Sequence, residues 1–313
     1  MKEKAQKEFI PVMLTPFKEN GEIDLDGLTQ LTELYLQAGS KGLFANCQSS
    51  EMFQLSSEER LQIVKHTLKI ADGEVPVVAV GNFGTTIAAQ ADFIHKIYDT
   101  GVKAVIIVTG LVAGENVSNE VFDERIFEVF NLTGKIPLGF YECPEPYKRV
   151  LTAEQLKKFV ATGRVIYHKD TCLDIELVKE KLRSTRNVSS FGLYDAYAAN
   201  AVASLKAGAK GLSCIQGNFF PELIVWLCDH FNDANVNGQV NRVQQFLTGH
   251  MEVIHQAYPT VAKYFLQKRG LNISTFTRTN AEEVTPAIKD SVDHLFDEYI
   301  ILKNELAYEY NLK

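Results

Sequence analysis

No stretch of this 313-residue chain stays apolar long enough to cross a bilayer. Its charged opening, Met1-Lys2-Glu3-Lys4-Ala5-Gln6-Lys7-Glu8, has no apolar signal core behind it. Cysteine is sparse. Five residues, odd in number and widely scattered, argue against a disulfide framework and imply a reducing, cytoplasmic setting. No Cys-x-x-Cys spacing marks a metal site, and the seven histidines show no paired ligand spacing, so no metal is expected. Basic residues are not in excess. The formal charge of −7 disfavours a nucleic-acid partner and leaves any anionic substrate to be held by local donors. No Gly-x-Gly-x-x-Gly follows the first strand candidate, which argues against a dinucleotide-binding sheet. The glycines of Val80-Gly81-Asn82-Phe83-Gly84-Thr85 are not followed by Gly-Lys-Ser/Thr, so they form no phosphate loop.

What is present is an alternation. Hydrophobic residues make up 46% and charged residues 23%, an ordinary globular balance. Apolar runs predict strands over 9–17, 42–47, 75–80, 104–109, 137–143, 165–172, 188–194 and 211–216. Helical periodicity follows each of them, over 25–37, 57–71, 87–99, 119–132, 152–161, 175–183, 197–207 and 221–231. Gly39, Gly73, Gly101, Gly134, Gly163 and Gly208 fall just past the helices, where a left-handed cap favours glycine. Ser56 with Glu59, and Thr152 with Gln155, fit capping boxes. About eight strand–helix units close a parallel barrel, so the expected fold is α/β, a (β/α)₈ TIM barrel over residues 1–236. An open doubly wound sheet is the rival. Residues 237–313 carry no further strand pattern and read as a C-terminal helical extension. Helices are expected over 240–269, broken at Tyr258-Pro259, and over 281–308, packed on the barrel or against another subunit.

In such a barrel, chemistry sits at the carboxyl ends of the strands. That rim carries Thr15, Cys47-Gln48-Ser49-Ser50-Glu51, Thr109, Tyr141, Lys169, Tyr194 and Gln216. Lys169 closes the apolar run Val165-Ile166-Tyr167-His168, and Tyr141 closes another 28 residues upstream. Burial lowers a lysine's pKa and frees its amine as a nucleophile. Alternatively, such a lysine snorkels to solvent beside Asp170. Side-chain alternation puts Tyr167 and Lys169 on one face and turns His168 toward the helices, as a packed, hydrogen-bonded imidazole. Glu142 and Asp195 read as solvated rim carboxylates. Cys47, Cys143, Cys172 and Cys214 read as small, buried apolar residues. Ser49 and Ser50 read equally as helix-capping turn residues or as ligand donors.

Several blocks together resemble the dihydrodipicolinate synthase and N-acetylneuraminate lyase family of class I aldolases. Tyr141-Glu142-Cys143-Pro144 is similar to its Tyr-Asn-x-Pro segment, and Lys169-Asp170-Thr171 to its Lys-Asp-Ser/Thr segment. Phe9-Ile10-Pro11-Val12-Met13-Leu14-Thr15-Pro16-Phe17 resembles its opening strand, and Leu55-Ser56-Ser57-Glu58-Glu59-Arg60 the start of its second helix. Gly217-Asn218-Phe219-Phe220-Pro221-Glu222 resembles its Asn-x-x-Pro-Glu turn. The resemblance implies an imine between Lys169 and pyruvate or another 2-oxo acid, with Tyr141 as proton carrier. It implies Ser49, Ser50 and Gln48 at the substrate, no cofactor, and assembly as dimers or tetramers. Tyr194 and Gln216 complete the expected substrate contacts.

The departures are specific. The family loop reads Gly-Thr/Ser-Thr-Gly-Glu, whereas Cys47-Gln48-Ser49-Ser50-Glu51 has neither glycine, so its anion site is rebuilt. Dihydrodipicolinate synthases carry a tyrosine pair where this chain has Val108-Thr109-Gly110-Leu111. They carry an arginine where Lys148 and Arg149 stand slightly displaced. An aldolase or lyase on a less familiar 2-oxo acid therefore fits better than lysine biosynthesis. A sugar-acid dehydratase using the same imine, and a non-catalytic keto-acid-binding relative, stay open as alternatives.

Overall fold

The computed structural model describes residues 7–279 and 283–310. Residues 1–6 of the charged opening, and 281–282 at the start of the last expected helix, lie outside the described residues. Eight parallel strands alternate with helices: β1 (Glu8–Phe9), α1 (Leu25–Gln37), β2 (Leu43–Ala45), α2 (Ser57–Ala71), β3 (Val77–Val80), α3 (Ile87–Tyr98) and β4 (Ala104–Val108). A short α4 (Thr109–Val112) precedes α5 (Asn119–Leu132), β5 (Leu138–Tyr141), α6 (Ala153–Val160), β6 (Val165–Asp170) and α7 (Ile175–Thr185). The barrel ends with β7 (Gly192–Asp195), α8 (Ala201–Ala207), β8 (Gly211–Leu212) and α9 (Pro221–His230).

The strands run in the order β1-β8-β7-β6-β5-β4-β3-β2. Beyond β1, Val12 bridges Phe44 in parallel, Met13 N–H donates to Phe44 O at 3.0 Å and Phe44 N–H to Pro11 O at 3.0 Å, which closes the ring. That closure rules out the open doubly wound sheet. The predicted first strand is interrupted: Pro11 and Pro16 supply no N–H, so only Glu8–Phe9 and the bridge residue pair. Strand ends β7 and β8 are likewise shorter than the apolar runs.

Residue alternation sorts the core into two layers. Val78, Val80, Ile106, Val108, Tyr141 and Tyr167 pack inside the barrel with Phe44. Val77, Ala79, Val105, Ile107, Leu138 and Phe140 face outward onto the helices. All five residues of β4 are buried, and each Val or Ile there contributes about 1.5–3 kcal/mol by leaving water. Gly139 faces inward, where a Cβ would lie 2.6 Å from Ile106 Cδ1 and 2.9 Å from Tyr167 Cβ; only glycine fits. The capping boxes at Ser56 and Thr152 form as expected, and Gly39, Gly73, Gly101, Gly134, Gly163 and Gly208 all take positive φ.

After the barrel come α10 (Asn237–Gly249), α11 (Met251–His255), α12 (Thr260–Lys268) and α13 (Pro286–Tyr310). The expected helix over 240–269 is thus three pieces, and the segment between α11 and α12 dips toward the barrel mouth. No described helix is long and apolar enough to cross a membrane.

Candidate active site

A cavity of about 430 Å³ opens at the carboxyl ends of the strands, and both Lys169 and Tyr141 line it. The two are register partners on β5 and β6. Lys169 Nζ lies 4.1 Å from the centroid of the Tyr141 ring and 6.0 Å from that of Phe44. Phe44 is edge-on to both Tyr141 (5.9 Å) and Tyr167 (5.8 Å), wedging the lysine's neighbours apart. Lys169 is 3% exposed and forms no ion pair among the described residues. Burial therefore holds its pKa below the ordinary lysine value. Burial also raises the Tyr141 hydroxyl well above an ordinary phenol, with the Cys143 and Cys47 thiols beside it adding to the rise, so the phenol stays protonated.

Gln48 lines the cavity and its Oε1 accepts the Tyr141 hydroxyl at 3.3 Å. Ser49 lines it too, and its Oγ accepts from the Tyr258 hydroxyl at 2.8 Å. Ser50 does not reach it. Its Oγ donates to Met13 O at 2.7 Å and accepts the Cys47 N–H at 3.0 Å, so of the two serines this one is the capping residue. Gln216 is in the wall, with Nε2 2.9 Å from Met251 Sδ and Oε1 buried without a hydrogen-bond partner. Tyr194 is not in the wall. Its ring stacks on Tyr167 at 4.7 Å and leans back over Gly192, and its hydroxyl donates to Glu8 at the start of β1. The ring lies inside the barrel but runs toward the floor and away from the mouth, so the expected substrate contact from Tyr194 is not made at this cavity.

Other expectations are corrected beneath the rim. Glu142 and Asp195 are not solvated but 0% and 1% exposed. Glu142 accepts the Leu151 N–H at 2.8 Å and pairs with Lys181. Asp195 is pushed up to about 7, chiefly by burial, with the Asp170 carboxylate adding to the rise and the Tyr197 N–H opposing it. His168 faces outward as alternation requires. However, its Nε2 stands 3.4 and 3.5 Å from Glu142 and Asp170 without hydrogen-bond alignment. Carboxylates raise its pKa against the desolvation that is the largest effect on it. Glu142, His168 and Asp170 bring ligand atoms within 4.8 Å of one another, but the Lys181 ammonium already bonds both carboxylates there. Cys47, Cys143 and Cys214 are buried, as small apolar residues should be, whereas Cys172 is half-buried.

Residues outside the expected set complete the wall. Lys148 lines the cavity and donates to Thr171 O at 3.0 Å. Arg149 turns away to the Val117 carbonyl at 2.6 Å. Met251, His255, Tyr258 and Thr279 come from the C-terminal helices and the segment beyond α12. Only the Tyr258-Pro259 break hinted at them, as a point where a helix could not continue straight past the mouth.

Fold and site together define a class: closed (β/α)₈ barrels with a buried, carboxylate-free lysine set against a tyrosine at the mouth. A model described as the dihydrodipicolinate synthetase family matches residues 5–298, and the chain belongs to that family. It is similar to 4-hydroxy-tetrahydrodipicolinate synthase of Staphylococcus saprophyticus, with 26% identity over 237 residues covering 75% of this chain and 78% of the relative. The Hyphomonas neptunium protein of the same name is 25% identical over 262 residues, covering 84% and 88%. Among solved structures, a prophage protein of E. coli K12 in complex with pyruvate superposes with a TM-score of 0.83, at 22% identity over 95% of this chain and 98% of that one. A Clostridium difficile protein, CdNal, in complex with mannosamine gives 0.82, at 17% identity over 94% and 99%.

Proposed function

We propose that this chain is a class I aldolase or lyase that forms an imine between Lys169 and pyruvate or another 2-oxo acid. One observation carries the reading: Lys169 is buried against the ring of Tyr141, with no carboxylate among the described residues to hold its proton. A desolvated amine is neutral often enough to attack a ketone carbon. The resulting carbinolamine loses water, and the protonated imine draws electrons from the adjacent carbon. A proton leaves that carbon, and the enamine then attacks an aldehyde; run backwards, the same steps cleave the bond. Tyr141, protonated and bonded to Gln48, is placed to shuttle protons between the carbinolamine oxygen and the substrate. Ser49 receives the substrate carboxylate.

The pyruvate seen in one structural neighbour supports that choice of ligand. Lys148 and His255 line the same cavity and favour an acid with a second polar or anionic end. All five cysteines are free thiols, four of them buried, which supports a reducing, cytoplasmic setting, and the family resemblance supports assembly as a dimer or tetramer. Borohydride reduction in the presence of pyruvate tests the central step. The expected result is one adduct on Lys169, located by peptide mass; no adduct with any of several 2-oxo acids would overturn the reading.

A further inference from the structure

We infer that Asn218 and Tyr258 are positioning residues that orient the Ser49 hydroxyl, so that its proton is directed at the carboxylate of the bound 2-oxo acid. The inference rests on the reading of Lys169 as the imine-forming lysine and assigns a device that makes the rebuilt loop work.

The proton bookkeeping is forced from one end. Asn218 is fully buried and its amide nitrogen lies 2.9 Å from Val12 O, an oxygen that can only accept. The amide orientation is thereby fixed: a flip would set two oxygens against each other. The same nitrogen therefore donates to the Tyr258 hydroxyl at 2.6 Å, while Oδ1 accepts from the Tyr35 hydroxyl at 2.5 Å. Having accepted from Asn218, the Tyr258 oxygen sends its single proton on to Ser49 Oγ at 2.8 Å. Burial keeps this phenol above its ordinary pKa, so it remains a donor. The reverse sense, with Ser49 donating to Tyr258, would leave the phenolic proton without an acceptor among the described residues.

One proton remains. The Ser49 hydroxyl hydrogen has no acceptor among the described residues, and Ser49 lines the cavity that contains Lys169. Tyr35, Asn218, Tyr258 and Ser49 thus form a chain of donors running one way, each polarising the next, and ending in an O–H aimed at a ligand. Such a terminus suits an acceptor, and an anion best. Local sequence explains why the chain is needed. The Cys47–Glu51 loop lacks flanking glycines, and Ser50 is consumed in capping, so Ser49 takes its orientation from a phenol delivered more than two hundred residues later.

Asn218 is itself held by local necessity. It follows Gly217, where a Cβ would sit 2.0 Å from the Phe9 ring, so the turn packs flush against the first strand.

Calorimetric titration with pyruvate, on the full-length protein, tests the inference through a double-mutant cycle. Tyr258→Phe should bind pyruvate about tenfold more weakly, the loss expected for a hydrogen bond serving a charged group. Ser49→Ala should weaken binding at least as much, and adding Tyr258→Phe to it should cost nothing more. Methyl pyruvate, which has no carboxylate, should bind wild type and Tyr258→Phe alike. Should Tyr258→Phe fold poorly by thermal melting, Tyr258→Met takes its place in the cycle, since it keeps an apolar side chain there and removes the donor to Ser49. Wild-type affinity in the single variant, or the same tenfold loss in the Ser49→Ala background, overturns the inference while leaving the imine intact. Absence of any Lys169 adduct in the wild type overturns the proposed function, and this inference with it.

Discussion

Lys181 and Glu142 form an ion pair that is wholly buried, with Nζ 2.6 Å from Oε1. The same ammonium lies 2.7 Å from Asp170 Oδ2. Glu142 follows Tyr141 and Asp170 follows Lys169, so one cation on α7 ties together the strand ends that present Tyr141 and Lys169. Glu142 also accepts the Thr171 N–H at 3.2 Å, and the Thr171 hydroxyl donates to the Glu142 carbonyl. The family segment carries asparagine where Glu142 stands, so this chain has an extra buried anion that Lys181 neutralises.

Removing that cation exposes the cost. Lys181→Met should destabilise the fold by about 3–5 kcal/mol, because two carboxylates are left buried with only His168 between them. Glu142→Gln in the same background should recover part of the loss. Urea denaturation measures both; a variant as stable as wild type would show that the pair holds nothing in place.

Lys169 should govern the pH dependence of pyruvate capture. The free amine attacks, so the rate rises with pH and levels off above the lysine's pKa. Burial lowers that pKa, so the plateau should begin below 10.5, the ordinary lysine value. Tyr141→Phe should slow turnover by roughly 10²–10⁴-fold, the usual weight of a positioned acid–base group. A trapping profile still climbing at pH 10.5 would contradict the first expectation, and unchanged turnover the second.

Asp195 is a carboxyl whose pKa is raised from 3.8 to about 7 in the folded state. The unfolded chain loses this proton near 3.8 while the folded chain keeps it, so the group's contribution to stability falls as pH rises from about 4 to about 7. Above that range the penalty is constant. Asp195→Asn removes it, and should therefore stabilise the protein by a few kcal/mol at pH 8 and hardly at all at pH 4. Melting temperatures at the two pH values test the sign.

The Glu51 carboxylate accepts from Lys263 Nζ at 2.9 Å and from the backbone N–H groups of Arg278 and Thr279 at 2.6 and 2.8 Å. Glu51→Ala should release the segment carrying Thr279 from the cavity wall. Amide exchange at 278 and 279 should quicken at least tenfold, roughly what one lost charged hydrogen bond implies. Protection equal to wild type would refute the tether.

Much of the barrel was legible because its signals are local. Helices α1, α2 and α5 follow from apolar spacing and their N-caps Asp24, Ser56 and Ser118. Lys169 and Tyr141 stood out because a strand end fixes where a side chain points. Tyr194 misled because position along a strand gives the face but not the reach, its hydroxyl being captured by Glu8, and Ser50 because the turn after β2 commits its hydroxyl to Met13 O. Glu142 misled because its compensation comes from a residue distant in sequence, Lys181, and Asp195 because burial raises its carboxyl pKa, with the neighbouring Asp170 adding to the rise and the local Tyr197 N–H opposing it. Beyond the break at Tyr258-Pro259, nothing placed Tyr258 or Thr279 at the site, since no periodicity says which loop folds back over a barrel mouth.

Because Met251, His255, Tyr258, Pro259 and Thr279 supply one side of the cavity that holds Lys169, order of synthesis matters. A nascent chain that has emerged through α9 already possesses all eight strands, the lysine and the tyrosine. It still lacks the side that Met251, His255, Tyr258 and Thr279 supply. At that stage the cavity is open to water on that side, and water favours the ammonium form of an amine. The reactivity proposed for Lys169 would thus be complete only once the last helices dock.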